Sequence, residues 1–121
     1  MEILQKILIG FVALEHLYFL VLEMFLWTKP YGRRAFGLQK DFAESTKVLA
    51  ANQGLYNGFL AAGLIWSLLE TNIAFAQALQ YFFLACVIIA GIYGAYSTKK
   101  ARLFYVQSVP AIIALAVILM N

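Results

Sequence analysis

Charged residues are scarce in this sequence of 121 residues, at 12%. An ordinary soluble domain carries about 25%. A hydrophobic content of 64% exceeds what a core of this size can bury, which excludes a water-soluble domain. The single cysteine, Cys86, excludes an intrachain disulfide. With one histidine, His16, no zinc-type ligand cluster can be assembled, so no metal is expected. There is neither a Walker loop nor a Gly-x-Gly-x-x-Gly run, and no cofactor is expected. The net charge of +3 is small, and the cations flank apolar runs instead of forming a stripe. Disorder and nucleic-acid binding are therefore not expected. The N-terminal stretch has no basic start before its apolar run and no small-x-small cleavage site, so it is expected to be retained and not removed as a signal peptide.

Long apolar runs fill most of the chain. Four segments, at about 3–27, 48–69, 73–96 and 103–120, are each long enough as a helix to cross about 30 Å of hydrocarbon. The alternation of a membrane strand is absent, and helices satisfy their own backbone in lipid. The expected fold is an all-α integral membrane four-helix bundle in a single domain, 1–121. Thr28 to Arg34 ends the first segment with Pro30, Gly32 and three cations. Glu70-Thr71-Asn72 and the run Ser97 to Arg102 separate the later segments. The stretch Ala35 to Lys47 has two readings: a short interfacial amphipathic helix, or a cytoplasmic extension of the second span. The extension is preferred.

Cations fix the orientation. Lys29, Arg33, Arg34, Lys40 and Lys47 lie in the first connection, and Lys99, Lys100 and Arg102 in the third. Lys6 alone lies on the other side. The positive-inside rule puts both basic connections in the cytoplasm and both termini outside, in a multi-pass protein of the cell membrane. Trp27, Tyr31, Tyr96, Phe104 and Tyr105 would mark the cytoplasmic interface, and Trp66 and Tyr81 would lie towards the outer one.

Polar residues are then placed by depth and face. Glu15 and His16 fall near mid-membrane, and Glu23 near the cytoplasmic interface. At about 100° per residue, His16 and Glu23 share a stripe two turns apart, with Ile9 and Trp27 extending it, while Glu15 lies about 100° away. In the second span Asn52, Gln53, Tyr56 and Asn57 occupy one arc. Gly54, Gly58 and Ala62 form a small-residue ridge placed on the other side. That ridge reads first as a site of close helix approach and second as a contact for a homo-oligomer. Gln107 lies about one turn into the last span. Pro110 reads as a packing kink, Tyr93 and Tyr96 as belt residues, and Cys86 as an apolar filler. Acidic groups at the bilayer centre cost about 2.5–3.5 kcal/mol on insertion scales. Their plain readings are protonation with a hydrogen bond for Glu15, a satisfied core position for His16, and pairing with Arg33 or Arg34 for Glu23. As a group, intramembrane ionisable residues line pockets or paths, and a functional role is preferred.

Two stretches, His16 to Trp27 (HLYFLVLEMFLW) and Asn52 to Gly63 (NQGLYNGFLAAG), stand out, together with Ala90-Gly91-Ile92-Tyr93-Gly94 and Gln107-Ser108-Val109-Pro110-Ala111. The chain resembles, over nearly its whole length, a family of small bacterial and fungal integral membrane proteins known as domain of unknown function 1304. The resemblance implies a four-helix membrane protein and brings no activity. The family's motif positions fall on His16, Glu23, Asn52, Gln53, Asn57, Tyr93 and Gln107.

Three functions compete. The first is a membrane enzyme or binding protein for a lipophilic small molecule or membrane lipid. His16, Glu23 and Glu15 would supply acid–base chemistry, and Asn52, Gln53, Tyr56, Asn57, Tyr93 and Gln107 would contact the ligand. The second is a proton-linked transporter or channel subunit acting as an oligomer, with Glu15, His16 and Glu23 as a relay. The third is a non-catalytic assembly factor whose polar residues lock helices together. The first is preferred.

Overall fold

A computed structural model describes residues 2–121, and its regular structure is entirely helical among them. Helix α1 is Ile3–Met24, α2 Pro30–Phe36, α3 Lys40–Leu69 and α4 Ile73–Thr98. Helix α5, Ala101–Leu119, contains a π-helical turn at Phe104–Ser108. Helices α1, α4 and α5 are each long and apolar enough to cross a membrane. The chain divides into two compact units, one of residues 14–61 and one of residues 1–13 with 62–121.

In the first unit, the run from Thr28 to Arg34 behaves differently from a simple terminator. Helix α1 unwinds through amide donation from both Phe25 and Leu26 to the Val21 carbonyl. Lys29 is extended, at φ −83° and ψ 157°, as a residue before proline must be. Pro30 then opens α2 at a position where its missing N–H is not needed. Gly37 closes α2 with φ 66°. Its amide donates to the Arg34 carbonyl, and the Leu38 amide donates to that of Arg33 at 2.8 Å, a paired C-terminal cap. A Cβ on Gly32 would stand 1.8 Å from the Leu26 carbonyl oxygen, so only glycine lets α2 fold back on the end of α1. The stretch Ala35 to Lys47 thus divides: its start completes α2, and its end extends α3 to Lys40.

Trp27 joins these pieces. Its indole Nε1 donates to Thr46 Oγ1 of α3 at 3.0 Å, and its ring lies 5.0 Å from that of Phe36. Tyr18 and Tyr31 share a 2.6 Å hydrogen bond between their hydroxyls, a second tie between α1 and α2.

In the other unit, Asn72 caps α4 by accepting from the Phe75 amide at 3.0 Å. The face of α4 carrying Leu84, Val87 and Gly91 is buried, as are Ala111, Ala114 and Ile118 of α5. Ser108 Oγ donates to the Ile88 carbonyl at 2.9 Å. The π turn precedes Pro110, which has no amide to donate to the carbonyl four residues back. The Val109 amide reaches five residues back, to Phe104, a local adjustment that accommodates proline in an apolar helix. Near the start of this unit, a Cβ on Gly63 would stand 2.3 Å from the Phe83 ring.

Candidate functional site: a buried carboxyl held by two amides

One face of α1 is buried along its length. Ile9, Val12 and His16 are fully enclosed, and Glu23 is 3% exposed. Of the expected stripe, Ile9, His16 and Glu23 lie on this buried face, whereas Trp27 falls beyond the end of α1 at Met24 and does not extend it. The other face presents Phe11, Leu14, Tyr18 and Val21.

Glu23 meets two side chains of α3. Gln53 Nε2 donates to Oε2 at 2.5 Å, and Asn57 Nδ2 donates to Oε1 at 2.6 Å. Gln53 and Asn57 are four residues apart, so they lie on one face of α3, about 40° from one another. Each carboxyl oxygen has one neutral donor. The alternative pairing with Arg33 or Arg34 is not made among the described residues. The site is closed at Asn57, which is buried, and open at Gln53, which is exposed.

Glycine brings the two helices this close. A Cβ on Gly54 would lie 2.7 Å from Met24 Cγ, 3.1 Å from Glu23 Cβ and 3.2 Å from the Leu20 carbonyl oxygen. One on Gly58 would lie 2.7 Å from Leu20 Cδ1. Gly54 and Gly58 therefore serve close approach to α1 of the same chain, while Ala62 is exposed. The ridge and the polar residues do not oppose one another as the sequence analysis placed them: Gln53 and Gly54 flank a single contact line, with Asn57 pointing along it. Ala43, Ala50, Ala61 and Leu64 continue that buried line. Asn52 and Tyr56 fall about 150° and 110° from it, and both are exposed. They do not join Gln53 and Asn57 at Glu23.

His16 is fully buried, with the Phe19 ring edge-on at 5.2 Å. It precedes Glu23 by seven residues, about 10 Å along the axis, so the two do not act on one another directly. Glu15 is half-buried, and its Oε1 is enclosed without a hydrogen-bond partner. Tyr93 and Gln107 belong to the other unit, where Tyr93 is exposed and Gln107 half-buried. The Trp27–Thr46 bond was not foreseen. Its signal was available, since an indole N–H near a helix end needs an acceptor.

The contrast between the two glutamates gives a prediction. Glu15→Leu removes an oxygen with no partner and strands no donor. It is expected to leave the unfolding midpoint in detergent unchanged or to raise it by up to about 1 kcal/mol in stability. A clear fall in midpoint would show that Glu15 has a structural role.

A family model described as "Protein of unknown function (DUF1304)" matches residues 10–119. An uncharacterized protein, YpaA of Lactococcus lactis subsp. lactis (strain IL1403), is 34% identical over 118 residues, which cover 95% of this chain and 96% of that one. No solved structure matches.

Proposed function

The chain belongs to the DUF1304 family, and from that premise we propose that it is a multi-pass membrane protein that binds the polar head of a lipophilic molecule at Glu23. In this reading α3 supplies the fourth span. From Val48 onward it exposes Leu49, Leu55, Phe59, Ile65 and Leu69, over a length of about 33 Å. Its polar first turns, with Lys40, Asp41, Glu44 and Lys47, then stand at the cytoplasmic surface with the rest of the first connection, and both termini face outward.

The observation that carries the binding role is a 3%-exposed carboxyl group satisfied by amides alone. A purely structural lock needs no carboxyl there, because amide or apolar side chains would join the helices without its desolvation cost. A carboxyl with two oxygens has about four acceptor positions, and the two amides use one on each. The remaining positions suit a hydroxyl or amine brought in from the Gln53 side, with an apolar tail left among the exposed aromatic and aliphatic side chains. Glu23 would accept the hydrogen bond and hold a proton of that group, while His16 lies about 10 Å further along α1.

The test is thermal unfolding of the full chain in detergent with dodecanol, dodecylamine or dodecane. The parent is expected to gain several degrees with an amphiphile bearing a donor and nothing with the alkane. Glu23→Leu should lose the difference. Equal responses in parent and variant would sink the binding role. A second reading has its own support, since both Glu23 oxygens already accept from α3: the cluster locks α1 to α3. It predicts no donor-dependent gain in the parent, and a Glu23→Gln variant that keeps function while losing stability.

Close approach at Gly54 has a measurable consequence in either case. Gly54→Ala would push α3 away from Met24 and the Leu20 carbonyl, stretching both bonds to Glu23. A loss of about 1–3 kcal/mol is expected. A variant as stable as the parent would show that the approach is not needed.

A further inference from the structure

A second candidate site, which does not include Glu23, lies along α2 and its connection to α3. Pro30, Arg33, Arg34, Gly37, Leu38 and Gln39 line a broad cavity of about 460 Å³. Small-molecule sites run from about 300 to 1,000 Å³. None of the lining residues is acidic. Of the acidic groups at the start of α3, Asp41 lies in its first turn without an ion pair among the described residues, and Glu44 is engaged by Lys47 at 3.2 Å.

The two arginines have a plain reading. They sit in the last turn of α2, where cations complement the helix dipole. That reading leaves one observation over. Arg33 Nε is buried and has no hydrogen-bond partner. A buried guanidinium donor without an acceptor is costly, whereas the last carbonyls of α2 already receive the Gly37 and Leu38 amides. That enclosed Nε is itself out of a ligand's reach, but neither Arg33 nor Arg34 has an ion pair or side-chain hydrogen bond among the described residues, so their outer nitrogens lack an acceptor that an anion supplies. Guanidinium groups bind phosphate oxygens through paired, charge-assisted hydrogen bonds.

We propose that this cavity binds a phosphate group through Arg33 and Arg34, the chemistry shared by an anionic phospholipid headgroup and free phosphate. The volume favours the larger ligand. Water occupies about 30 Å³ in the liquid, so this open hollow has room for a headgroup with part of its glycerol as well as for an ion. Pro30 and Leu38 give that glycerol an apolar wall, and the Gln39 amide lies beside it. Helix α2 follows closely on the end of α1, so in the proposed topology the cavity opens at the cytoplasmic headgroup layer. The site does not depend on what occupies Glu23.

The test is a titration of the full chain in uncharged detergent, read as the unfolding midpoint against ligand concentration. The probes are dioleoyl phosphatidylglycerol, dioleoyl phosphatidylcholine and millimolar inorganic phosphate. Phosphatidylglycerol should raise the midpoint of the parent by several degrees, and phosphatidylcholine by much less. Arg34→Gln should raise the half-saturating concentration about tenfold, the loss of one charge-assisted contact, and Arg33→Gln at least as much. Lys47→Gln removes the same charge outside the cavity and should leave the titration unchanged. Arg34 is exposed, so its variant tests the site even if Arg33→Gln does not fold. A response to inorganic phosphate that is lost in the same variants assigns the site to free phosphate. A response to phosphatidylglycerol alone assigns it to the lipid. No response to either, equal responses to both lipids, or equal weakening by Lys47→Gln would overturn the proposal.

Discussion

Glu23→Leu is expected to lower the stability of the chain by about 2–3 kcal/mol, and Asn57→Leu by nearly as much. The reason is asymmetric satisfaction. Removing the carboxyl leaves the buried Asn57 amide, which donates to Oε1 at 2.6 Å, with no acceptor. Removing the amide leaves one oxygen of a 3%-exposed carboxyl without its donor. The double variant Glu23→Leu/Asn57→Leu strands neither group and should lose less than the sum, by the coupling between them. Hydrogen bonds between membrane helices average about 0.6 kcal/mol of coupling, with a maximum near 1.7. A carboxyl acceptor on a buried amide belongs at the upper end, so a coupling of about 1–2 kcal/mol is expected from the cycle. Gln53→Leu should couple more weakly, because Gln53 is exposed and finds other partners. The measurement is reversible unfolding in mixed detergent micelles. Strictly additive losses for Glu23 and Asn57 would mean that the pair contributes nothing, and both the binding and the locking roles would lose their basis.

The same pair shows how far sequence could reach. Seven residues separate His16 from Glu23, and that spacing alone set them on one face of α1. Four residues separate Gln53 from Asn57, which did the same on α3. The pairing of the two helices was also approachable, because polar side chains in apolar segments seek one another. The width of the polar arc was not. Asn52 and Tyr56 are as polar as their neighbours, but the contact line is set by Gly54, where the α1 backbone comes closest. Only side chains within about 50° of that line reach Glu23. Likewise, Pro30 and Gly32 are helix breakers by propensity, and the sequence read them as a break. In the fold, proline is the first residue of α2, and Gly32 is the point at which α2 touches the Leu26 carbonyl. Propensity marks where the chain turns, but not what it becomes after the turn.

Gly91→Ala carries the other large expected effect, and it arises where sequence was least informative. Pro110 announced a kink but not its form. The structure absorbs the proline in the π turn at Phe104–Ser108, and Ser108 at the end of that turn packs against α4. A Cβ on Gly91 would lie 2.0 Å from Ser108 Oγ and 2.9 Å from the Ser108 backbone nitrogen. The hydroxyl could rotate away only by giving up its bond to the Ile88 carbonyl. The backbone nitrogen cannot move without unwinding the turn. Overpacking of this kind costs about 1–3 kcal/mol, to which the lost hydrogen bond adds about 0.6–1.7 kcal/mol. Gly94, three residues on, supplies the control, because a Cβ there meets only Leu103 Cδ1 at an ordinary 3.7 Å. Gly94→Ala should be neutral or slightly stabilising through reduced backbone freedom in the unfolded chain. Combining Gly91→Ala with Ser108→Ala should recover part of the loss, since it relieves the hydroxyl contact and leaves the backbone contact in place. Full recovery would show that only the side chain matters, and equal midpoints for Gly91→Ala and Gly94→Ala would show that α4 and the π turn do not approach so closely.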